Sequence, residues 1–371
     1  MNSTKTSKKC STDITVIGGG PAGLSAAINA RRLGLQVILV DENPKLGGQL
    51  IKQTHKFFGS KQHYCGIRGI DIAKILIEAA KKEEVEMLLE TSAIGIYNNG
   101  NGKVIGVVKD NKLINVATKG IIVATGAQEN MLAFPNNDLP GVYGAGAVQT
   151  LVNVYGVPPG KKVLMVGSGN IGLIVSYQLM QAGIPVVAII EALPEIGGYL
   201  VHAAKVRRLG IPIYTSHTIK KALGKQEVKG AVIAKVDKNW QEIPGTEKRI
   251  DCDVICLAVG LAPSVELLWQ IGCQTHYLPE SGGHVAWHNE FMRTNIPGIY
   301  VAGDASGIEE AVTAILEGRV AGIACAQEIK KTKKLNKIIS DTLKELQEFR
   351  EGPFGEKARI GKKKLRELRQ V

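Results

Sequence analysis

DITVIGGGPAGLSAAINARRLGLQVILVDENPKLGGQL, residues 13–50, is the stretch that decides the fold of this chain. It begins with a short apolar run, typical of a buried parallel strand, and a glycine-rich turn follows directly. An alanine-rich helical pattern comes next, and a second apolar run ends on Asp41. These four parts are Ile14–Ile17, Gly18–Gly23, Leu24–Leu33 and Val37–Val40. The order predicts a strand–helix–strand unit that carries an acid 23 positions after its first glycine (18 to 41).

The glycine spacing in this unit indicates a dinucleotide-binding turn. Gly18 permits a tight turn, Gly20 lets the backbone approach a pyrophosphate, and Gly23 lets the helix and strand pack closely. The helix N-terminus offers free N–H groups and the positive end of its dipole to phosphates. Asp41 is placed to accept a hydrogen bond from a ribose hydroxyl. An ordinary glycine turn is the alternative, but the strand, helix and acid in register favour nucleotide binding.

The same pattern occurs a second time, in residues 162–200, KVLMVGSGNIGLIVSYQLMQAGIPVVAIIEALPEIGGYL. The first glycine recurs 149 residues on (18 to 167) and the acid 150 residues on (41 to 191). The recurring residues are Gly167, Gly169, Gly172 and Glu191. Chance does not produce so constant an offset, so the sequence predicts two related dinucleotide-binding domains.

Each copy continues into a helix, a β-meander and an apolar strand that ends in glycine. The two closing strands are Gly120–Gly126 and Val254–Gly260. A third apolar strand appears once, before Gly303 and Asp304, and leads into a long helix. Ligands bind at the carboxyl ends of parallel strands, so Asp304 is a candidate for binding sugar-alcohol hydroxyls. The alternative is that Asp304 is only a carboxylate at a helix N-terminus.

The composition limits the class of protein. The 371 residues suggest two or three domains, and 44% are hydrophobic, which is enough for substantial cores. No apolar run is long enough to predict a membrane span. The N-terminus lacks an apolar signal core, so we expect a cytoplasmic location. The six cysteines form no C-x-x-C pair, which predicts free thiols and no metal site.

The positive charge is concentrated at the C-terminus. Of the net charge of +12, +8 falls in residues 330–371 and leaves +4 for the rest, which argues against a nucleic-acid-binding protein. The tail has a first helical pattern, a break at Gly352-Pro353 and a second short helical pattern over Lys362–Arg369. The apolar residues of the first pattern are Leu335, Ile338, Ile339, Leu343 and Leu346. A partner-docking or self-association element and a solvated tail are both open, with nucleic-acid or membrane binding a third option.

The combined order of these motifs resembles the two-dinucleotide-binding-domain flavoproteins, the pyridine nucleotide–disulfide oxidoreductase superfamily, over about residues 13–330. The resemblance implies an α/β fold with two Rossmann-like three-layer domains, in which the NAD(P)-binding domain is inserted into the FAD-binding domain. A helical basic tail is added to these. The predicted boundaries are 11–139 with 262–330 for the FAD domain, 140–261 for the NAD(P) domain and 331–371 for the tail.

The resemblance also implies which residues bind the two cofactors, FAD and NAD(H). The FAD residues are Gly18, Gly20, Pro21, Ala22, Gly23, Asp41, Glu42, Gly48, Gln49, Ala93, Thr125, Gly126, Gly303 and Asp304. The NAD residues are Gly167, Gly169, Asn170, Ile171, Gly172, Glu191 and Gly260. Asp41 would hold the adenosine ribose and Asp304 the ribityl chain. A carboxylate at Glu191 would repel a 2′-phosphate, so NADH is favoured over NADPH.

The chain departs from the disulfide reductases of this superfamily, because it lacks the cysteine pair that they carry in either domain. It is more similar to the FAD/NAD-binding α subunits of heteromeric sarcosine oxidase, opine oxidase, proline dehydrogenase and hydrogen cyanide synthase. The residues behind this similarity are Gly47-Gly48-Gln49, Gly126-Ala127 with Glu129, and 135–146. The similarity implies that the partner is a separate substrate-oxidising flavoprotein subunit, and it allows a small iron–sulfur subunit. A homo-oligomer is also open.

Three functions are consistent with the sequence. In the first, the chain is the FAD-dependent oxidoreductase subunit of an amine or amino-acid dehydrogenase complex and transfers hydride between NAD(H) and flavin. In the second, it is a self-sufficient NADH-dependent reductase of a small acceptor. In the third, it is a scaffold or electron-relay subunit. Hydride transfer requires no acid–base residue, since the cofactors carry the reaction. Lys52 and His55, in the loop after Gln49, are the candidates for contacting a substrate or the flavin edge. An ordinary surface loop is the alternative.

Overall fold

The computed structural model of the protein describes residues 9–58, 60–98, 102–332, 336–352 and 355–368. Leu335, Pro353 and Arg369, which entered the prediction of the tail, lie outside these ranges. The chain forms two compact units. Unit 1 comprises the described parts of 1–51, 56–128 and 262–371, and unit 2 comprises 52–55 and 129–261. Unit 2 therefore includes 52–55 and 129–139 besides the predicted 140–261.

Unit 1 is built on a seven-stranded, mostly parallel sheet. Its elements before residue 128 are β1 (Lys9–Ile17), α1 (Pro21–Arg32), β2 (Val37–Val40), α2 (Gly69–Lys82), β3 (Glu86–Leu88), β4 (Ser92–Asn98), β5 (Lys103–Lys109) and β6 (Lys112–Val123). Its later elements are α6 (Glu266–Gln270), β17 (Thr275–Leu278), β18 (Gly283–Ala286), β19 (Ile299–Val301), α7 (Ala311–Lys330), α8 (Asn336–Glu351) and α9 (Glu356–Glu367). The strand order is β3-β2-β1-β6-β5-β4, with β19 also beside β6. The strands β3, β2, β1, β6 and β19 are parallel, and β4–β5–β6 form an antiparallel meander.

The strand β2 shows why the apolar runs of this sheet are continuous. Its side chains alternate between two cores: Val37 and Leu39 pack on one face with α1 and α7, and Ile38 and Val40 pack on the other. A parallel sheet covered on both faces needs apolar residues at every position, unlike a half-exposed strand. This explains the continuous apolar run of β2 and the run of β1, in which Thr15 is the one polar residue of 14–17.

Unit 2 repeats this design with one parallel and one antiparallel sheet. Its elements, together with the two strands β7 and β16 that it shares with unit 1, are β7 (Ala127–Glu129), β8 (Val142–Gly144), α3 (Ala145–Gln149), β9 (Val163–Val166), α4 (Asn170–Gln181), β10 (Val186–Glu191), α5 (Leu200–Arg208), β11 (Ile213–Thr215), β12 (His217–Leu223), β13 (Gly230–Lys235), β14 (Lys248–Ile250), β15 (Val254–Leu257) and β16 (Leu261–Pro263). The parallel sheet has the order β11-β10-β9-β15-β8, and the antiparallel sheet is β12-β13-β14. The chain passes between the units within β7 and β16.

The basic tail forms the two helices α8 and α9, and both pack on the rest of unit 1, to which the tail belongs. Ile339 and Leu346 on α8 are buried against unit 1, where Leu346 packs with Leu316 of α7, and Leu365 on α9 is buried with Leu278. The second helix begins at Glu356 rather than at the predicted Lys362. Intramolecular contacts bury Ile339 and Leu346, so the alternative of a plainly solvated tail is wrong. Docking of a partner or of a second copy by the tail stays a prediction.

The predicted α/β fold class, with two parallel-sheet domains and a helical basic tail, is confirmed by this architecture. None of the helices within the described residues is both long and apolar enough to cross a membrane.

Candidate functional site

The glycine-rich turn of residues 18–23, between β1 and α1, is called the first cradle below, and the corresponding turn of residues 167–172 is called the second cradle. Gly18 has a φ of +103°, and a Cβ built on it would lie 2.2 Å from the carbonyl oxygen of Ala124. A Cβ on Gly23 would lie 1.8 Å from the carbonyl oxygen of Gly18. No side chain fits at either position, so both glycines are required by the close approach of the helix, the turn and the end of β6.

The N-terminus of α1 is open toward this cradle. The helix begins at Pro21, and its N-cap residue, Gly20, makes no side-chain cap hydrogen bond. The N–H groups of the first turn therefore have no side-chain partner at the cap and are available to an anion. Gly48 lies against Gly20, since a Cβ on Gly48 would be 2.8 Å from the Cα of Gly20. The backbones of two glycines therefore meet at the N-terminus of α1, an arrangement suited to binding the pyrophosphate of a dinucleotide.

Asp41 is fixed at the end of β2 beside the cradle. Its Oδ2 accepts a hydrogen bond from the N–H of Gly19 at 2.6 Å, and its Oδ1 accepts from the N–H and Nδ2 of Asn43 at 2.8 and 3.0 Å. A carboxylate has about four acceptor positions, so Asp41 retains capacity for a ribose hydroxyl. Glu42, the next residue, is exposed.

The turn after β19 also reaches this cradle. A Cβ on Gly303 would lie 2.8 Å from the Cβ of Ala22, so the turn lies against the first residues of α1. Asp304 accepts a hydrogen bond from the N–H of Glu309 at 3.3 Å. Burial raises the pKa of Asp304 to about 7, and the nearby carboxylates of Glu317 and Glu309 act in the same direction.

The remaining predicted FAD residues lie in unit 1 at different depths. Thr125 donates a hydrogen bond from its Oγ1 to the carbonyl oxygen of Ser264 at 2.7 Å, and Gly126, with a φ of +76°, accepts from the N–H of Ser264. Gln49 is exposed. Ala93 lies on β4 and packs against the core on the far side of the sheet from α1.

The second cradle, in unit 2, has the same construction. A Cβ on Gly167 would lie 2.3 Å from the carbonyl oxygen of Ala258, and a Cβ on Gly172 would lie 2.1 Å from the carbonyl oxygen of Gly167. The helix α4 begins at Asn170 after the uncapped N-cap residue Gly169. A Cβ on Gly169 would meet no protein atom within 4 Å, and Gly198 lies against the start of α4, since its Cβ would be 3.0 Å from the backbone nitrogen of Asn170. This arrangement corresponds to that of Gly20 and Gly48 and is suited to binding a second pyrophosphate.

Glu191 occupies the position in unit 2 that Asp41 occupies in unit 1. Its Oε2 accepts hydrogen bonds from the N–H and the Oγ of Ser168 at 2.9 and 2.7 Å, and its Oε1 accepts from the N–H of Leu193 at 3.0 Å. Sequence reasoning did not include Ser168, although the G-S-G of the second copy, against G-G-G in the first, marked the difference. The side chain of Ser168 helps to fix the carboxylate beside the second cradle.

Three other predicted residues surround this second cradle. The Oδ1 of Asn170 accepts a hydrogen bond from the N–H of Tyr199 at 2.8 Å, which joins the start of α4 to the start of α5. Ile171 is 39% exposed. Gly260, with a φ of +111°, follows β15 and lies beside Asn130.

Lys52 and His55 belong to unit 2 and are half-buried. The Nζ of Lys52 lies 3.4 Å from the carbonyl oxygen of Gly146, and burial lowers the pKa of Lys52. The ring of His55 packs edge-on against His202, with centroids 6.2 Å apart. Burial, with His202 and Lys205, lowers the pKa of His55 to about 4, so its imidazole is neutral at pH 7.

The potential metal ligands and the cysteines of the described residues are arranged as follows. No group of three or more His, Cys, Asp or Glu side chains within the described residues has the arrangement of a metal site. All six cysteines are free thiols. Burial raises the pKa of Cys252 to about 12 and that of Cys256 still higher, so neither is a reactive thiolate.

Comparison with known proteins identifies relatives of this chain. Residues 12–318 match the family described as pyridine nucleotide-disulphide oxidoreductase. An opine oxidase subunit of Agrobacterium tumefaciens (strain Ach5) is 30% identical over 345 residues, covering 86% of this chain and 66% of that protein. The alpha subunit of sarcosine oxidase from Rhizobium meliloti (strain 1021) is 28% identical, covering 85% of this chain and 30% of that protein. The crystal structure of L-proline dehydrogenase from P. horikoshii matches with a TM-score of 0.70 and 25% identity, covering 92% of this chain and 60% of that one. This chain thus spans less than two thirds of each relative.

Proposed function

Because this chain belongs to the pyridine nucleotide-disulphide oxidoreductase family, as its sequence predicted, and is an FAD-dependent oxidoreductase, we propose that it transfers hydride between NAD(H) and a flavin. In this proposal unit 1 holds FAD and unit 2 holds NAD(H). The chain acts as one subunit of a larger amine or amino-acid dehydrogenase.

The observation that carries the proposal is the presence of two cradles of one construction. Each has an uncapped helix N-terminus, at Gly20 and at Gly169, beside a strand-end carboxylate that backbone N–H groups hold in place. Each cradle therefore supplies donors for a pyrophosphate and an acceptor for a ribose. Two such sites are what a reaction between two dinucleotides requires.

The assignment of the flavin to unit 1 is supported by the turn at Gly303 and Asp304, which has no counterpart in the repeat of unit 2. When bound, the flavin supplies the two-electron chemistry. Asp41 would orient the adenosine ribose and Asp304 would contact the ribityl chain. The backbone of Thr125 and Gly126, joined to Ser264, would bound the same groove.

The preference for NADH over NADPH rests on the charge and rigidity of Glu191. Three hydrogen bonds from Ser168 and Leu193 hold its carboxylate beside the cradle. A 2′-phosphate bound there would meet a fixed negative charge, which it could displace only by breaking these bonds. We expect NADH to reduce the flavin much faster than NADPH at equal concentration.

The assignment to a heteromeric complex is supported by the relatives that are named as subunits, of opine oxidase and of sarcosine oxidase. The proposed partner is a separate substrate-oxidising flavoprotein subunit, and the complex leaves room for a small iron–sulfur subunit. Purification of this chain from its native host tests this, with an amine-oxidising protein expected in the same complex. A single-component preparation that turns over NADH with a small acceptor would instead support a self-sufficient reductase.

The hydride-transfer proposal is tested by two matched valine substitutions, one in each cradle. A Cβ at Gly20 has 3.9 Å to its nearest neighbour and one at Gly169 has no neighbour within 4 Å, so a side chain at either site enters the groove. Gly20→Val should purify without FAD. Gly169→Val should retain FAD but lose anaerobic bleaching of the flavin by NADH.

The matched control is Gly352→Val, at a glycine that also has no neighbour within 4 Å but lies in the tail. It should bind FAD and be bleached by NADH like the wild type. Loss of FAD in Gly169→Val with retention in Gly20→Val would reverse the assignment of the units. A wild-type flavin that NADH does not reduce would refute hydride transfer and favour a scaffold role.

A further inference from the structure

The tail carries two buried cations into unit 1, close to the turn at Gly303. Arg350 on α8 and Lys362 on α9 have side chains only 10% and 9% exposed. They face two carboxylates that are at least as buried, Glu309 at 8% and Glu317 at 2%. Buried charges of this kind are rare unless they are paired, and the nucleotide cradles described above do not require these four.

Glu317 links the tail to the turn with its two carboxylate oxygens. Its Oε2 accepts hydrogen bonds from the N–H of Gly303 at 2.9 Å and from the Oγ of Ser306 at 2.7 Å. Its Oε1 accepts from Arg350 at 2.6 Å and lies 2.9 Å from the Nζ of Lys362. The Oε2 atom therefore fixes the turn of residues 303–306, and the Oε1 atom is bound by the two cations of the tail.

A second connection runs through Glu309, at the other end of the turn. Arg350 donates two hydrogen bonds to its carboxylate, from Nε at 2.8 Å and from Nη2 at 2.7 Å. The N–H of Glu309 in turn donates to the Oδ1 of Asp304 at 3.3 Å. Paired hydrogen bonds from a guanidinium fix the direction of a carboxylate as well as its distance.

Lys362 completes the enclosure of the turn. Its Nζ donates to the carbonyl oxygen and to the Oγ of Ser306 at 3.0 and 2.8 Å, and lies 3.3 Å from the Nε2 of His288. Burial, with the charge of Lys362, lowers the pKa of His288 to about 3, so this histidine is neutral and its Nε2 accepts. These contacts hold the ammonium group of Lys362 against the turn and Glu317.

The charges in this cluster depend on one another. Burial alone would raise the pKa of Glu317, but Lys362 and Arg350 hold it well below its usual range. Removal of either cation would leave a buried carboxylate without full compensation. The carboxylate would then take up a proton or move toward water, and either change would weaken its hydrogen bonds to Gly303 and Ser306.

We propose that the basic tail is a strap that retains the flavin cofactor, in which Arg350 and Lys362 are positioning residues. They act through Glu317 and Glu309 to hold the turn of residues 303–306 in the arrangement that binds FAD. The inference rests on the proposed role of this turn in FAD binding. Linkage requires the reverse effect as well: bound FAD must stabilise the docking of α8 and α9 on unit 1.

The first test measures FAD affinity in the full-length protein with Arg350→Met and Lys362→Met. The matched controls are Lys344→Met on α8 and Lys363→Met on α9, whose side chains are each 78% exposed. FAD release is followed by flavin fluorescence at a temperature where circular dichroism shows every variant folded. We expect the two buried-site variants to bind FAD about 5- to 150-fold more weakly than the controls, the usual range for coupled sites. Lys362→Arg, which keeps the charge, should restore most of the affinity.

The second test uses the wild-type protein and so does not depend on the folding of a variant. Trypsin cleavage within the tail is timed for the FAD-loaded protein and for the protein stripped of FAD, and it should be at least several-fold slower when FAD is bound. Equal FAD affinities in the folded variants and controls, or a cleavage rate unaffected by FAD, would overturn the strap. A wild-type protein that binds no FAD would instead refute the proposed function.

Discussion

Helix α7 contacts the backbone of α1 directly at Gly318, where no side chain separates the two helices. A Cβ on Gly318 would lie 2.0 Å from the carbonyl oxygen of Ala22, against an ordinary contact of 3.4 Å or more. Gly318→Ala would therefore force the helices apart by more than 1 Å at this point. The displaced segment includes the first turn of α1 and the helix that follows the turn at Gly303, which are both parts of the first cradle.

The expected loss of stability in Gly318→Ala follows from two opposing effects. Replacement of a glycine inside a helix by alanine normally stabilises by about 1 kcal/mol. Overpacking of a tight contact costs about 1–3 kcal/mol, and this clash with a rigid backbone oxygen belongs at or above the upper end. The net loss is about 2 kcal/mol, which corresponds to a Tm lower by about 4–8 °C for a unit of this size. Gly322→Ala, with a Cβ at 2.4 Å from the carbonyl oxygen of Ala26, should lose less.

Thermal unfolding by circular dichroism, with FAD in excess and without it, measures this effect. Gly352→Ala is the control, because a Cβ there has no neighbour within 4 Å. The expected order of Tm is Gly352→Ala at or above wild type, then Gly322→Ala, then Gly318→Ala. A Gly318→Ala protein as stable as the control would refute the reasoning, because it would mean that α1 and α7 can separate without cost.

Three further predictions concern pH, thiols and the second cradle. Burial raises the pKa of Asp304 from 3.8 to about 7, so the folded FAD-free protein binds the proton of this carboxyl more tightly than the unfolded chain does. The folded protein therefore loses stability as pH rises from about 4 to 7. Asp304→Asn should flatten that part of the pH dependence of Tm. A thiol reagent should modify the exposed Cys65 rapidly and the buried Cys256 only after denaturation. Cys10 is half-buried, so the control is the double variant Cys10→Ser/Cys65→Ser, and a fast phase that survives in it would contradict this assignment. Ser168→Ala removes the 2.7 Å hydrogen bond to Glu191, which should cost about 1 kcal/mol of stability and raise the KM for NADH with FAD content unchanged. An unchanged KM would show that the backbone N–H groups alone hold Glu191.

The two glycine-rich turns were predictable because their sequence pattern is local. The strand, the glycines, the helix and the acid of each unit lie within about 40 consecutive residues. Gly23 and Gly172 are dictated by contacts inside these units, whereas Gly18 and Gly167 are dictated by the carbonyl oxygens of Ala124 and Ala258, far along the chain. The repeat added a second, independent line of support, since the same pattern had to arise twice. Helix boundaries were less predictable: α1 begins at Pro21 rather than Leu24, because proline is well suited to the first turn.

The segment of Lys52 and His55 shows where local reasoning stopped. Its position after Gln49 predicted either proximity to the flavin or an ordinary surface loop. In the structure residues 52–55 pack with unit 2, where Asn153 donates a hydrogen bond to the carbonyl oxygen of Lys52 at 2.7 Å. No periodicity in a short polar loop indicates which distant element it will contact, because that choice depends on packing.

The sequence by itself determined that this is an α/β protein of two related nucleotide-binding units with a basic helical tail, since periodicity and glycine spacing are properties of consecutive residues. Only the tertiary structure decided what the tail does with its charges. Arg350 and Lys362 differ in no way from their neighbours in a lysine- and arginine-rich sequence, yet these two are buried against Glu317. The physical reason is that compensation of a buried charge depends on three-dimensional distance, and residues 33 and 45 positions apart (317 to 350 and 317 to 362) meet only when the chain folds.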